Sequence, residues 1–179
     1  MNRPKTKIRH KKYSTPVKTA VIALALGIVA VPDLAPALTP PQPLPLDITV
    51  DTGGVCTLPD AITAANTDTT TGGCIAGFGT NIIILATDVT LAAALPDIIT
   101  DISIEGNGHI IDGNSGAWPV LRIIGTAGTL TLNKTIIQGG NNSGNGGGII
   151  VDSGSGGLTL NSSTVTDNTS GGNGGGIFA

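Results

Sequence analysis

The sequence predicts an all-β fold, a parallel β-helix (solenoid) of about 28 residues per coil with a short capping helix near its N-terminal end, on three observations. Segments recur at a fixed offset, the recurring apolar positions alternate with polar ones, and only one stretch carries helix signals. Leu130-Thr131-Leu132-Asn133 returns as Leu158-Thr159-Leu160-Asn161, and Asn145-Gly146-Gly147-Gly148-Ile149 returns as Asn173-Gly174-Gly175-Gly176-Ile177. Ten of 21 aligned positions are identical, without a gap. The same offset aligns Ile102 with Leu130 and Leu158, Ile104 with Leu132 and Leu160, and Leu121 with Ile149 and Ile177. Ser103, Thr131 and Thr159 fall between the first two rows, so side chains alternate in and out along each strand. Coils stacked about 4.8 Å apart would then pile like residues on like and satisfy each backbone through its neighbour.

Taken from the N-terminus, the chain opens with export signals. Seven of its nine basic residues precede Thr19, and an uncharged apolar run of 12 residues follows at 20–31. A membrane-spanning helix needs roughly 20 apolar residues, so residues 1–37 read as a signal peptide cleaved after Ala35-Pro36-Ala37. Residues 38–46 form a Pro-rich spacer, with four prolines in the seven residues from Thr39 to Pro45, a composition that favours an extended conformation. A capping region is expected over 47–101 and the β-helix coils over 102–179. Its first strand is expected at Ile48 and Val50, before a turn at Asp51-Thr52-Gly53-Gly54.

The helix is expected to start at Thr57, an N-cap with Asp60 three residues on, and to end near Asn66. Leu58, Ile62 and Ala65 share its apolar face. Cys56 and Cys74 flank it. In an oxidising compartment one disulfide is the simplest reading, two free thiols the alternative. Strands follow at Ile82-Ile83-Ile84-Leu85 and Val89-Thr90-Leu91, and the remainder is nearly all β. Asn133 and Asn161 are expected to turn corners through left-handed backbone and side-chain amide ladders, and the glycine runs to supply positive φ.

Charge and composition exclude several functions. Beyond residue 37 only Arg122 and Lys134 oppose eleven acidic residues, a formal charge of minus nine. An acidic body without a basic stripe or a row of aromatics is a poor nucleic-acid partner. A phosphate-cradling loop needs a following helix or a Gly-Lys-Ser/Thr, whereas β-branched strands follow the glycine runs here.

Cys56-Thr57-Leu58-Pro59-Asp60-Ala61-Ile62-Thr63-Ala64-Ala65-Asn66 resembles the segment that names the CSLREA domain family of exported bacterial proteins, with Thr57, Pro59 and Asp60 where the name has Ser, Arg and Glu. Thr80-Asn81-Ile82-Ile83-Ile84-Leu85, Ile102-Ser103-Ile104-Glu105-Gly106 and the Gly-Gly-Gly-Ile coils are similar to the pectin-lyase-like right-handed β-helix of those proteins. The coils also resemble repeats of polymorphic outer-membrane proteins and autotransporter passengers, with Val165-Thr166-Asp167-Asn168 lacking the phenylalanine of that repeat. The resemblance spans about residues 48–179. It implies a secreted or cell-surface bacterial protein without a demonstrated reaction, and a helix that shields the first coil.

Chemistry-bearing residues are few. A lyase of this fold needs a base and calcium-holding carboxylates. Arg122, aligned with Ile150 and Phe178, reads as a solvated strand residue. A hydrolase needs two carboxylates about 5–9 Å apart. Asp101 and Glu105 share a strand face but stand about 13 Å apart on an ideal strand, and Asp112 reads as a turn residue. His109 reads as a loop residue without metal partners, and Asp152 and Asp167 offer at most incidental calcium contacts. Trp118 is the candidate glycan contact, with packing over the coil surface as the alternative.

The sequence therefore points to a monomeric, non-catalytic structural or adhesive protein of the cell surface, with no cofactor, no metal and no nucleic acid. Its partner would be an extracellular protein or glycan, and it would meet a membrane only through export or a C-terminal anchor. The alternative is part of a polysaccharide lyase, a glycoside hydrolase or a glycan-binding protein. Ending at Ile177-Phe178-Ala179, just after another coil begins, the chain is expected to continue in a longer product.

Overall fold

In the computed structural model, residues 46–51 and 53–179 are described. The expected signal peptide and nearly all of the Pro-rich spacer lie outside them. Most of the regular structure is strand, paired throughout in parallel sheets, with a single helix among the described residues. That helix is too short to cross a membrane.

The elements run β1 (Ile48–Val50), α1 (Leu58–Thr67), β2 (Asn81–Leu85), β3 (Val89–Thr90), β4 (Asp101–Glu105), β5 (Ile110–Asp112) and β6 (Leu121–Ile123). They continue as β7 (Thr129–Asn133), β8 (Ile136–Gln138), β9 (Asn141–Asn142), β10 (Ile149–Val151), β11 (Gly157–Asn161), β12 (Thr164–Val165), β13 (Thr169–Ser170) and β14 (Ile177–Phe178). Four sheets result, in the orders β1-β2-β4-β7-β11, β14-β10-β6, β12-β8-β5-β3 and β13-β9.

Register explains the repeat. Ile102 faces Leu130, which faces Leu158, and Leu121 faces Ile149, which faces Ile177. A five-deep row runs Ile48, Ile83, Ile104, Leu132 and Leu160. Its first four members are fully buried, while Ser103 and Thr131 between the rows are only half-buried. Parallel pairing thus begins at β1, well before Asp101. A further row that a constant offset misses joins Val89, Ile111, Ile137 and Val165, because β5 and β8 pair at 26 residues rather than 28.

The helix sits where its signals place it. The Thr57 side chain accepts from the Asp60 backbone N–H and donates to the Asp60 carboxylate, so N-cap and third residue satisfy each other. Leu58, Ala61, Ile62, Ala64 and Ala65 are buried, one residue row wider than expected. The helix ends at Thr67, and Asp68 in left-handed conformation closes it. Asn81, at an inward position opposite Ile102, is buried because its amide donates to the Ala65 carbonyl, an acceptor left over at the helix end. Asn66 anchors the same end through Asp97 O and Ile99 N.

Two expectations about turns change. Asn133 and Asn161 are strand residues; the left-handed positions are Lys134 and Ser162, one residue later. The amide ladder does form, Asn161 donating to Asn133 at 2.8 Å and Asn133 to Glu105 at 2.6 Å. Within the glycine runs, Gly146 and Gly174 take positive φ, but Gly147 and Gly148 do not. They are small because the neighbouring repeat lies against them: a Cβ on Gly147 would fall 2.5 Å from the Gly175 carbonyl oxygen.

Candidate functional site

Few described residues combine exposure with chemistry, and the densest group lies on the outward face of β6, β10 and β14. Alternation buries Leu121 and Ile123 and turns Arg122 out. Register then sets Arg122, Ile150 and Phe178 side by side, as the repeat predicts. Arg122 does not stand free in solvent. Its Nη2 donates to Asp152 Oδ2 at 2.6 Å, and its Nη1 lies 3.9 Å from Asp97 Oδ2. The Asp152 hydrogen bond, against some desolvation, holds the guanidinium even further above its ordinary pKa. Arg122, Ile150, Asp152 and Phe178, with Pro119 and Asn142, line a shallow cleft of about 330 Å³.

A second cleft, of about 530 Å³, lies between the end of β1, the start of α1 and β3. Val50, Leu58, Val89 and Leu91 give it an apolar lining, and Asp51 and Asp88 add carboxylates. Asp88 accepts from the Ile110 backbone N–H at 3.0 Å and faces His109 Nδ1 at 3.0 Å. The backbone bond first, then the histidine, hold the Asp88 carboxyl below its ordinary pKa. A depressed carboxylate contributes stability that is present above its unfolded pKa of 3.8 and is lost as pH falls through the lower folded value. Asp88→Asn should therefore flatten the loss of stability on acidification below about pH 4; urea midpoints compared at neutral and acid pH would show it, and unchanged acid sensitivity would contradict it.

The three carboxylates considered for hydrolysis are spent on neighbours. Asp101 accepts from the Thr129 hydroxyl one repeat away. Glu105 accepts from Asn133 at 2.6 Å and from Ser103 at 3.2 Å. Asp112 caps its own turn by accepting from the Asn114 N–H at 2.7 Å, and takes Gln138 Nε2 at 2.9 Å on its other oxygen. Asp152 and Asp167 share no partner: Asp152 holds Arg122, and Asp167 accepts from its neighbour Thr166. Among the described residues, no three of His, Cys, Asp and Glu are grouped so as to hold a metal ion.

Trp118 is half-buried against the core, its six-membered ring over Gly116 and its Nε1 buried without a partner. Cys56 and Cys74 form a disulfide. Sequence reasoning missed the Arg122–Asp152 pair, although its separation of 30 residues is the 28-residue offset plus two, which returns to the same strand face. Asp97 carried no such signal, since the bridge from Ile98 to Ile123 follows no 28-residue spacing. No family model matches the chain, and no curated protein or solved structure does either.

Proposed function

We propose that the chain is part of a right-handed parallel β-helix that acts outside the bacterial cell as a structural or adhesive body rather than as an enzyme. In this reading the four parallel sheets are faces of one stack, each repeat is a coil, and α1 covers its first level in the manner of the CSLREA-domain proteins it resembles. The Ile48-to-Leu160 row supports the stack, since equivalent side chains recur once per repeat. Export is supported by the basic and apolar segments of residues 1–37 and by the disulfide, a bond that persists in oxidising compartments.

The observation that carries the non-catalytic reading is the use of the carboxylates. Asp101, Glu105 and Asp112 each accept a hydrogen bond from the paired strand of the neighbouring repeat, and so serve the strand pairing. Asp112 has both oxygens engaged, and Asp101 and Glu105 each tie one oxygen to β7, whereas a general acid or base must turn its carboxyl to substrate. The test is incubation of the full-length gene product with uronate-containing and neutral polysaccharides. Unchanged chain length is expected; clear shortening of any of them would overturn the reading in favour of a carbohydrate-active β-helix.

A further inference from the structure

We propose that the cleft beside Arg122 binds a neutral hexose unit of a glycan, an inference that rests on the adhesive reading and names the chemistry of its partner. The cleft's 330 Å³ lies at the small end of ligand-sized sites, which run from about 300 to 1,000 Å³. It has two unlike walls. Ile150 and the ring of Phe178, adjacent in register, give an apolar surface that suits the C–H face of a pyranose. Arg122, Asp152 and Asn142 give a polar one.

The polar wall is organised before any ligand arrives. The 2.6 Å bond to Asp152 fixes the long Arg122 side chain, so ordering it adds little to the cost of binding. It occupies one guanidinium nitrogen and one carboxylate oxygen. Arg122 Nε and Asp152 Oδ1 take no part in it, which leaves a donor and an acceptor on the two partners of the bond. Neighbouring hydroxyls of a sugar, each able to donate and accept, match that pair. Asn142 spends its amide N–H on the Asn145 carbonyl at 2.6 Å, which leaves its own oxygen for a further hydroxyl.

Charge selects among sugars. Within the cleft Asp152 offsets Arg122, a second carboxylate, Asp97, lies 3.9 Å from the guanidinium, and residues 38–179 carry a formal charge of minus nine, so uronates and phosphates are disfavoured. An apolar peptide is a poor fit, because only Pro119, Ile150 and Phe178 would cover it. Trp118, half-buried on the core, is not needed for the contact.

The test is saturation-transfer NMR and calorimetry on the full chain with neutral gluco-, manno- and galacto-oligosaccharides, and with oligogalacturonate as the anionic control. Saturation should pass to at least one neutral sugar. Phe178→Ala and Asp152→Asn should each weaken it about tenfold, the equivalent of 1.4 kcal/mol. Phe178→Tyr should retain binding, and far-UV circular dichroism should stay unchanged in all three variants. Transfer to no neutral oligosaccharide, tighter binding of oligogalacturonate, or equal affinity in Phe178→Ala and Asp152→Asn would each overturn the proposal. A sugar that binds through these residues and is then cleaved would keep the cleft and sink the non-catalytic reading, so the two failures are distinct.

Discussion

Leu132→Ala is expected to destabilise the fold by about 2–5 kcal/mol, the usual cost of a cavity left by a fully buried leucine, whereas Thr131→Ala should stay within about 0.5 kcal/mol. The two positions are consecutive in β7 and differ only in face. Leu132 is completely buried between Ile104 and Leu160, its partners on either side in the row. Collapse around the missing atoms is hindered, because moving either neighbour would break parallel backbone pairing on both sides of β7. Thr131 lies between Ser103 and Thr159 on the outer face, where the hydroxyl keeps water within reach. Urea unfolding of both variants at one pH measures the difference. Equal losses would mean that the alternation does not separate an interior from an exterior, and the row of aliphatic side chains would lose its role as the core.

How much of this was legible depends on whether the spacing stayed constant. Parallel strands one repeat apart set like above like, so Ile102, Leu130 and Leu158, or Leu121, Ile149 and Ile177, could be read by sliding the sequence on itself. The row of Ile111 and Ile137 could not, because two residues fewer separate them and a fixed offset of 28 puts Gly139 opposite Ile111 instead. Earlier pairings depart further: Asn81 faces Ile102, and Ile48 faces Ile83 across the helix. Local signals did better there, since a cap and an apolar face act within ten residues and do not depend on long-range spacing.

Roles assigned by residue type were less secure than positions. Asparagine tolerates left-handed backbone, yet Asn133 and Asn161 stay in strand conformation and Lys134 and Ser162 take the bend. The amides serve the ladder instead, where each bonds the next repeat. Glycine permits positive φ, but Gly148 is required by a neighbour: a Cβ there would come within 2.6 Å of the Gly176 carbonyl oxygen. The cleft was hidden for a related reason. Repeat alignment gave the row of Arg122, Ile150 and Phe178, while Asp152 reaches Arg122 from two residues beyond the aligned position.

Replacing Cys56 and Cys74 together by serine should cost about 3 kcal/mol, the chain-entropy value for a ring of this size. The bond spans 18 residues and encloses α1 entirely, so the cut frees one region rather than all the parallel sheets. An isolated helix of ten residues is marginal in water. α1 persists because Leu58, Ala61, Ile62, Ala64 and Ala65 pack on the first strands and because Asn66 and Asn81 hold its C-terminal end. The disulfide brings both ends of the helical segment close in the unfolded chain, which lowers the entropy lost when the helix docks. Hydrogen exchange in the double variant should therefore quicken most in α1 and β1 and least in β7 and β11. If the helix is held by packing alone, exchange there would be unchanged and the stability loss would fall well short of the ring-closure value. A uniform rise across all strands would instead mean that the helix and the parallel sheets unfold as one unit, with the disulfide restraining all of them.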